Sequence, residues 1–196
     1  ILNQAVDTFS NRYFGDVALN FAAKKERDTE RGAQARADAD CSVEAILKTF
    51  SASCGMNLDA GKTPALTALI KAALDALGQN SKDLSGKAPF RKRPYVQLGE
   101  APFAGGNDAT VSSYPSAESE IGWGVALILT EIAPSKANDI LTRGYQMGYS
   151  GVITGQHWAT DIMAARIMAA GVVARLHADP EFRKLLEKAR NEYSNG

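Results

Sequence analysis

The most informative part of the chain runs Gly148-Tyr149-Ser150-Gly151-Val152-Ile153-Thr154-Gly155-Gln156-His157-Trp158-Ala159-Thr160-Asp161. It places His157 and Asp161 four residues apart at the start of a helical pattern, a spacing that puts two side chains on one helical face. An aspartate there can accept one ring N–H, fix the tautomer and leave the other nitrogen free as a nucleophile or proton carrier. Such pairs are more often incidental on a helix surface, so the surrounding sequence must decide.

Working outward, the hydrophobic pattern is helical along nearly the whole chain, without the sustained alternation that strands require. Thr63-Pro64 predicts a helix start, and Gly78 is expected to close that helix. Further helices are predicted over 116–133, from Pro134 to about Gly148, and from His157 to about Ala178. The one long irregular stretch, 81–114, is typical of a functional loop. The sequence therefore predicts an all-α fold.

Length and charge narrow the possible functions. A chain of 196 residues with 45% hydrophobic residues fits one domain, 1–196, with a sizeable core. Lys plus Arg and Asp plus Glu both total 22, which gives no electrostatic reason to expect nucleic acid or a membrane surface as a partner. Apolar runs such as 124–129 fall far short of the roughly 20 residues of a membrane span. No signal peptide is visible at the start of the sequence.

Two cysteines, Cys41 and Cys54, bracket a predicted helix that Ser42 caps. A helix rises about 1.5 Å per residue, whereas a disulfide needs its two Cα atoms within about 7 Å. A bridge is therefore possible only if the chain folds back after Phe50. We favour free thiols and keep the bridge as the alternative. With two histidines and no clustered His and Cys residues, no metal site is expected.

Three short motifs follow one another along the second half of the chain. They read Lys87-Ala88-Pro89-Phe90-Arg91-Lys92-Arg93-Pro94, then Pro115-Ser116-Ala117-Glu118, then Ser150-Gly151 followed by His157 and Asp161. In order and spacing they resemble the signature K-x6-R-P, P-S-G-H, S-R-x5-H-x3-D of the class A bacterial non-specific acid phosphatases. That family belongs to the superfamily of type-2 phosphatidic acid phosphatases and vanadium haloperoxidases. The resemblance implies a single-domain helical bundle of that type.

The resemblance also implies roles for individual positions. In the resembled family the histidine at the place of His157 attacks phosphorus, and the aspartate at the place of Asp161 orients it. The implied phosphate cradle lies at Lys87, Arg93, Ser116, Ser150 and Gly151. Such a cradle is reasonable because phosphoryl transfer is mostly positioning and charge stabilisation, and a guanidinium binds two oxygens in a fixed fork. No cofactor is implied, although vanadate or phosphate could occupy the site.

This sequence departs from the signature in three places. Lys87 lies one residue too close to Arg93, so Arg91 or Lys92 could replace the family lysine. Gly151 stands where the family has arginine, and losing one buried charge-assisted contact typically costs a few kcal/mol. Glu118 stands where the family has the histidine that protonates the leaving group. A glutamate could do so only if its pKa were raised toward neutrality, and when ionised it would repel a phosphate dianion.

Three functions are therefore open. The first is an enzyme that is a poor phosphatase and uses His157, Asp161 and Glu118 for acid–base chemistry on a small, less anionic substrate. The second is residual phosphomonoester hydrolysis or phosphotransfer through a histidine nucleophile, with an acidic optimum. The third is a non-catalytic binding protein that uses the same pocket. The resemblance further implies a periplasmic or secreted protein and allows a homo-oligomer.

Overall fold

Helices account for the regular structure of residues 11–195, the part of the chain that the structure, a computed structural model, describes. They are α1 (Asn11–Ala23), α2 (Glu30–Ala37), α3 (Val43–Cys54), α4 (Pro64–Ser85), α5 (Pro94–Gln97), α6 (Ala117–Ile132), α7 (Ala137–Thr154), α8 (Ala159–Leu176) and α9 (Pro180–Asn195). No strand occurs within that range, so the prediction of an all-α fold is confirmed. Residues 1–10 and Gly196, which the predicted domain also covers, lie outside the described residues.

Local sequence signals fix several helix ends. The Ser42 hydroxyl accepts a hydrogen bond from Ala45 N at 3.3 Å at the start of α3, as predicted. The Ser116 hydroxyl accepts one from Ser119 N at 3.3 Å at the start of α6. These caps satisfy N–H groups that a helix leaves open at its first turn. Gly155 ends α7 with a left-handed φ of 79°, which glycine adopts without steric cost.

Two predicted helix ends are wrong. Gly78 does not close α4, which continues to Ser85. One interior glycine costs only about 1 kcal/mol relative to alanine, and packing of α4 against α6 and α9 outweighs it. Nor does α7 stop at Gly148. A Cβ atom at Gly148 would lie 3.1 Å from Ile162 Cγ2, so this glycine lets α7 approach α8 closely instead of ending the helix.

The core forms around α6, which packs against α4, α7, α8 and α9. Most of its inward positions are apolar and fully buried, as are those of the helices around it: Leu69, Ile70, Leu77, Val125, Ile128, Leu129 and Ile140. Each such side chain contributes roughly 1.5–3 kcal/mol when it leaves water. Because the start of α6 and the end of α7 meet in this packing, the second and third sequence motifs come together at one end of the bundle.

Both cysteine thiols are free, as we favoured from the sequence. Cys54 lies in the core and Cys41 is partly buried. Burial raises the pKa of each thiol to about 12, so both are protonated and poor nucleophiles. Among the described helices, none combines the length and apolarity needed to cross a membrane.

Glu120 is a carboxyl group that α6 buries against α4. It has no exposed surface, and its Oε1 accepts a hydrogen bond from Asn80 Nδ2 at 2.6 Å. Burial raises the pKa of Glu120 to about 7, although hydrogen bonds from Asn80 and Ser81 act in the opposite direction. The fold therefore holds a carboxyl that is protonated over most of the acidic range.

Glu120→Gln should flatten the pH dependence of stability. Since the pKa of Glu120 is about 7 in the fold and 4.5 ordinarily, its contribution is complete below pH 4.5 and is lost as the pH rises to about 7. The loss is on the order of 3 kcal/mol. Urea denaturation from pH 4 to 8 measures it, with the exposed Glu187→Gln as the control. If both variants follow the wild-type pH dependence, Glu120 does not titrate in this way.

Candidate active site

His157 lies in the turn between α7 and α8, before the first residue of α8. The backbone turns at Gly155, which has a left-handed conformation, and His157 N donates a hydrogen bond to Gly151 O at 3.0 Å. The backbone of the histidine is thus anchored on the last turn of α7. The expectation that His157 starts a helix and shares a helical face with Asp161 is wrong, because α8 begins only at Ala159.

The imidazole ring is buried, and the partners of its two nitrogens define their roles. Nδ1 lies 2.7 Å from Ser113 O, and since a carbonyl can only accept, Nδ1 carries a proton. Nε2 lies 3.0 Å from Glu118 Oε2 and 3.4 Å from Arg93 Nη1. The orientation that Ser113 gives the ring therefore directs Nε2 toward a carboxylate and a guanidinium.

Asp161 does not meet the ring in the predicted way. One of its oxygens accepts the hydrogen bond of Trp158 N at 2.8 Å, which caps α8, and the other is paired with Arg91. Asp161 is completely buried, and burial raises its pKa although Arg91 and His157 act in the opposite direction. The tautomer-fixing role that the sequence assigned to this carboxylate belongs to the Ser113 carbonyl.

Arg91 joins three distant parts of the chain behind the histidine. Besides Asp161, its guanidinium binds Asp16 Oδ2 of α1 at 2.7 Å and Thr160 Oγ1 of α8 at 2.8 Å. Asp16 Oδ1 also accepts the backbone N–H of Thr160 at 2.9 Å. The Arg91 side chain is only 7% exposed and lies over the ring of Trp158. These contacts occupy the guanidinium, so Arg91 does not replace the family lysine in the cavity.

Glu118 lies in the first turn of α6 with its carboxylate on Nε2 of His157. Removal from water by itself raises its pKa, but the charge and hydrogen bond of His157, helped by Arg93, hold the pKa at about 2. This is the reverse of the shift that the role of leaving-group acid requires. An ionised Glu118 can only accept a hydrogen bond, so the contact requires a proton on Nε2, and a protonated Nε2 has no lone pair for nucleophilic attack.

A cavity of about 130 Å³ opens in front of Nε2. It is lined by Arg93, Glu118, His157, Gln156, Ser150, Gly151, Asp38 and Asp108 together with Met147, Thr154 and several small residues. Arg93 is the only Lys or Arg among the described lining residues, which include three carboxylates. Asp38 is neutralised by a two-pronged ion pair with Arg143. Hydrogen bonds from Thr110 lower the pKa of Asp108, so this carboxylate is ionised.

The other predicted cradle positions are only partly brought together. Ser116 is completely buried, caps α6 and lies 2.8 Å from Ser119 Oγ, so it supports the helix start and does not line the cavity. Ser150 lines the cavity, but its hydroxyl donates to Asp38 Oδ2 at 2.6 Å. Lys87 is exposed after the end of α4 and is not among the lining residues.

Arg93 and Gly151 flank the histidine. Arg93 Nη1 donates to Gln156 Oε1 at 2.9 Å and to Gln156 O at 3.1 Å. Gly151, in the last turn of α7, leaves the space into which the ring packs, because a Cβ there would lie 3.1 Å from His157 Cδ2. An arginine at this position would require the ring to give way. The site therefore offers one guanidinium next to Nε2.

Sequence reasoning missed three contributors. Ser113 acts through its main-chain carbonyl, which no side-chain pattern reveals. Asp38 is separated by 112 residues from its partner Ser150, and a single sequence gives no sign of that contact. Gln156 precedes the histidine directly, and its amide belongs to none of the three motifs. Of the described residues, no group of three His, Cys, Asp or Glu is arranged to hold a metal ion.

Comparison with known proteins places this chain in a family. The family model of the PAP2 superfamily matches residues 64–184. The non-specific acid phosphatase of Providencia stuartii is 37% identical over 185 residues, which cover 93% of this chain and 75% of the relative. The acid phosphatase of Zymomonas mobilis is 38% identical over 179 residues, 87% of this chain and 66% of the relative. The non-specific acid phosphatase of Salmonella typhimurium is 34% identical over 186 residues, 93% and 74%.

The chain belongs to the PAP2 superfamily and, within it, to the acid phosphatase family. The resemblance drawn from the three motifs is confirmed. Phosphatases of this superfamily need no cofactor.

Asp161→Asn should lower the free energy of unfolding by about 3 kcal/mol, because it removes one of the charges that hold the buried Arg91. Urea denaturation measures the loss, and the exposed Asp28→Asn should cost almost nothing. Unchanged stability together with lost vanadate binding would contradict this assignment. It would return Asp161 to the role of orienting the ring.

Proposed function

We propose that this member of the acid phosphatase family turns over phosphomonoester dianions poorly. It uses the acid–base pair of His157 and Glu118, with His157 also as the nucleophile, on a small phosphoester that carries less negative charge. The observation that supports this proposal is the Glu118 carboxylate, 3.0 Å from the histidine nitrogen that faces the cavity. Asp161 contributes from behind, through Arg91 and the start of α8.

Charge is the first argument. A dianion bound for attack by Nε2 would lie about 4 Å from Glu118, where two unit charges interact by about 4 kcal/mol at an effective dielectric constant of about 20. The Glu118 side chain is 38% exposed, and solvent screening reduces this repulsion. Arg93 is the one Lys or Arg among the described lining residues available to oppose it. A phosphoester with a single negative charge suffers about half the repulsion and still binds Arg93.

The proton positions supply the second argument. Nδ1–H is held by Ser113 O, and the Nε2 proton can pass to Glu118 across 3.0 Å. Nε2 then attacks phosphorus with its freed electron pair as the bond from phosphorus to the leaving oxygen breaks. The proton on Glu118 goes to that oxygen. Water next attacks the phosphorylated histidine, and the proton that the water loses returns to the pair of His157 and Glu118. Glu118 thus acts as an acid only after it has received the proton of His157.

A second candidate is residual phosphomonoester hydrolysis or phosphotransfer. It is favoured by Arg93, 3.4 Å from Nε2, and by relatives that are named acid phosphatases. An acidic optimum would then arise from protonation of the substrate to its monoanion, since the pKa of Glu118 is about 2. In either case we expect a periplasmic or secreted protein. Assembly into a homo-oligomer stays a prediction.

Turnover of p-nitrophenyl phosphate and bis(p-nitrophenyl) phosphate from pH 4 to 8 tests the proposal. We expect kcat/KM for the diester, with one negative charge, to exceed that for the monoester above about pH 6, where the monoester becomes a dianion. His157→Ala should abolish both activities. A clear preference for the dianion would favour the second candidate. If His157→Ala changes neither the turnover nor the binding of either compound, a non-catalytic binding protein is the better description.

Glu118→Gln should tighten the binding of vanadate by roughly tenfold, equivalent to about 1.4 kcal/mol, because it removes the repelling charge and preserves the shape of the side chain. Isothermal titration at pH 7 measures the change. The exposed Glu44→Gln serves as the control for a general change in net charge. Equal vanadate affinity in the wild type and Glu118→Gln would show that this carboxylate does not set the charge preference of the cavity.

A further inference from the structure

Gln156 connects the two sides of the cavity through its side-chain amide. Its Oε1 accepts a hydrogen bond from Arg93 Nη1 at 2.9 Å. Its Nε2 donates to Ala104 O at 2.7 Å and to Gly106 O at 3.0 Å. The residue is only 8% exposed. Both amide hydrogens and the amide oxygen therefore have partners, which is the requirement for burying a primary amide without loss.

The segment that Gln156 binds is the irregular connection between α5 and α6. Gly105 has a left-handed φ of 88°, and a Cβ there would lie 3.0 Å from Gln156 Nε2. The backbone of this segment thus packs directly against the amide. Ala104, Gly105 and Gly106 all line the cavity. A side chain at Gly105 would push the segment away from Gln156.

The same amide fixes Arg93. Without the side-chain amide, Arg93 Nη1 would keep only Gln156 O as an acceptor. One hydrogen bond to the main chain does not fix the plane of the guanidinium. With both bonds, Nη1 is held 3.4 Å from Nε2 of His157. Loop position and guanidinium position are therefore coupled through one side chain.

We propose that Gln156 is a positioning residue that latches the 104–106 loop over the cavity and, through the same amide, holds Arg93 beside His157. Release of the loop then frees the amide to turn away from Arg93, and anion affinity falls when the loop opens. The consequence for turnover rests on the proposed function. The latch and its effect on anion binding do not rest on that function.

Three variants separate the possibilities. Gln156→Met keeps the length of the side chain but removes every hydrogen bond that the side chain makes. Gln156→Glu keeps an acceptor for Arg93 but, when ionised, faces two carbonyl oxygens that it cannot satisfy. Gln97→Met, at an exposed position of α5, is the matched control.

Limited chymotrypsin digestion followed by mass spectrometry reports on the loop. The rate of cleavage after Phe103, next to the loop, measures its release. Cleavage after Phe50, which is completely buried in α3, measures global unfolding. We expect the ratio of the two rates to rise about tenfold in Gln156→Met and in Gln156→Glu, and to stay at the wild-type value in Gln97→Met.

Vanadate titration of the same proteins tests the coupling to Arg93. We expect about tenfold weaker vanadate binding in Gln156→Met and no change in Gln97→Met. For any phosphoester that is turned over, KM should rise more than kcat falls, because the site is loosened and its chemistry is retained.

An unchanged cleavage ratio in Gln156→Met would overturn the latch. A raised ratio with unchanged vanadate affinity would overturn the coupling and leave Gln156 as a loop anchor. If the wild type turns over no phosphoester, the proposed function fails, while the digestion and the vanadate titration still decide the role of Gln156.

Discussion

The guanidinium of Arg91, held between Asp16 and Asp161, is the interaction on which the geometry of the site depends. It connects α1, the segment before α5 and the start of α8, and Asp16 adds a hydrogen bond from Thr160 N to the same cluster. A buried ion cluster of this kind adds little stability compared with apolar packing, but losing one partner leaves an uncompensated charge in the interior. The turn that carries His157 is therefore fixed from behind by electrostatics and from α7 by its backbone.

In front of the histidine, the charged group nearest to Nε2 is a carboxylate. A carboxylate occupies the position from which a phosphoryl group would approach Nε2, and Arg93 is shared with the amide of Gln156. The carboxylate and the imidazole stabilise each other, as the low pKa of Glu118 shows. Without a ligand, the polar groups of the site are thus paired with one another. A ligand must displace those hydrogen bonds before it can form its own. Ligands of high charge density pay the larger penalty, because they also meet the carboxylate.

The fold could be predicted from the sequence because its signals are local. Caps such as Ser42 and the apolar spacing within α4 and α6 depend only on neighbouring residues. The site was harder, because its contacts cross the chain. The sequence identified His157, Glu118 and Arg93 as neighbours, and the structure brings them together. It misassigned Asp161, since Trp158 N and Arg91 each bind one oxygen of that carboxylate, and only the tertiary structure shows that these are its partners.

The hydrogen bond from Nδ1 of His157 to the main-chain oxygen of Ser113 has a consequence for how such a site can change over time. A point mutation cannot delete a backbone carbonyl, so the direction of the ring survives exchange of the side chains around it. Glu118 can then be exchanged without the histidine losing its orientation, whereas a side chain at Gly151 would press on the ring itself. Where the main chain orients the reactive group, the charged side chains around that group can be exchanged in evolution. The range of ligands that the site accepts then changes with them.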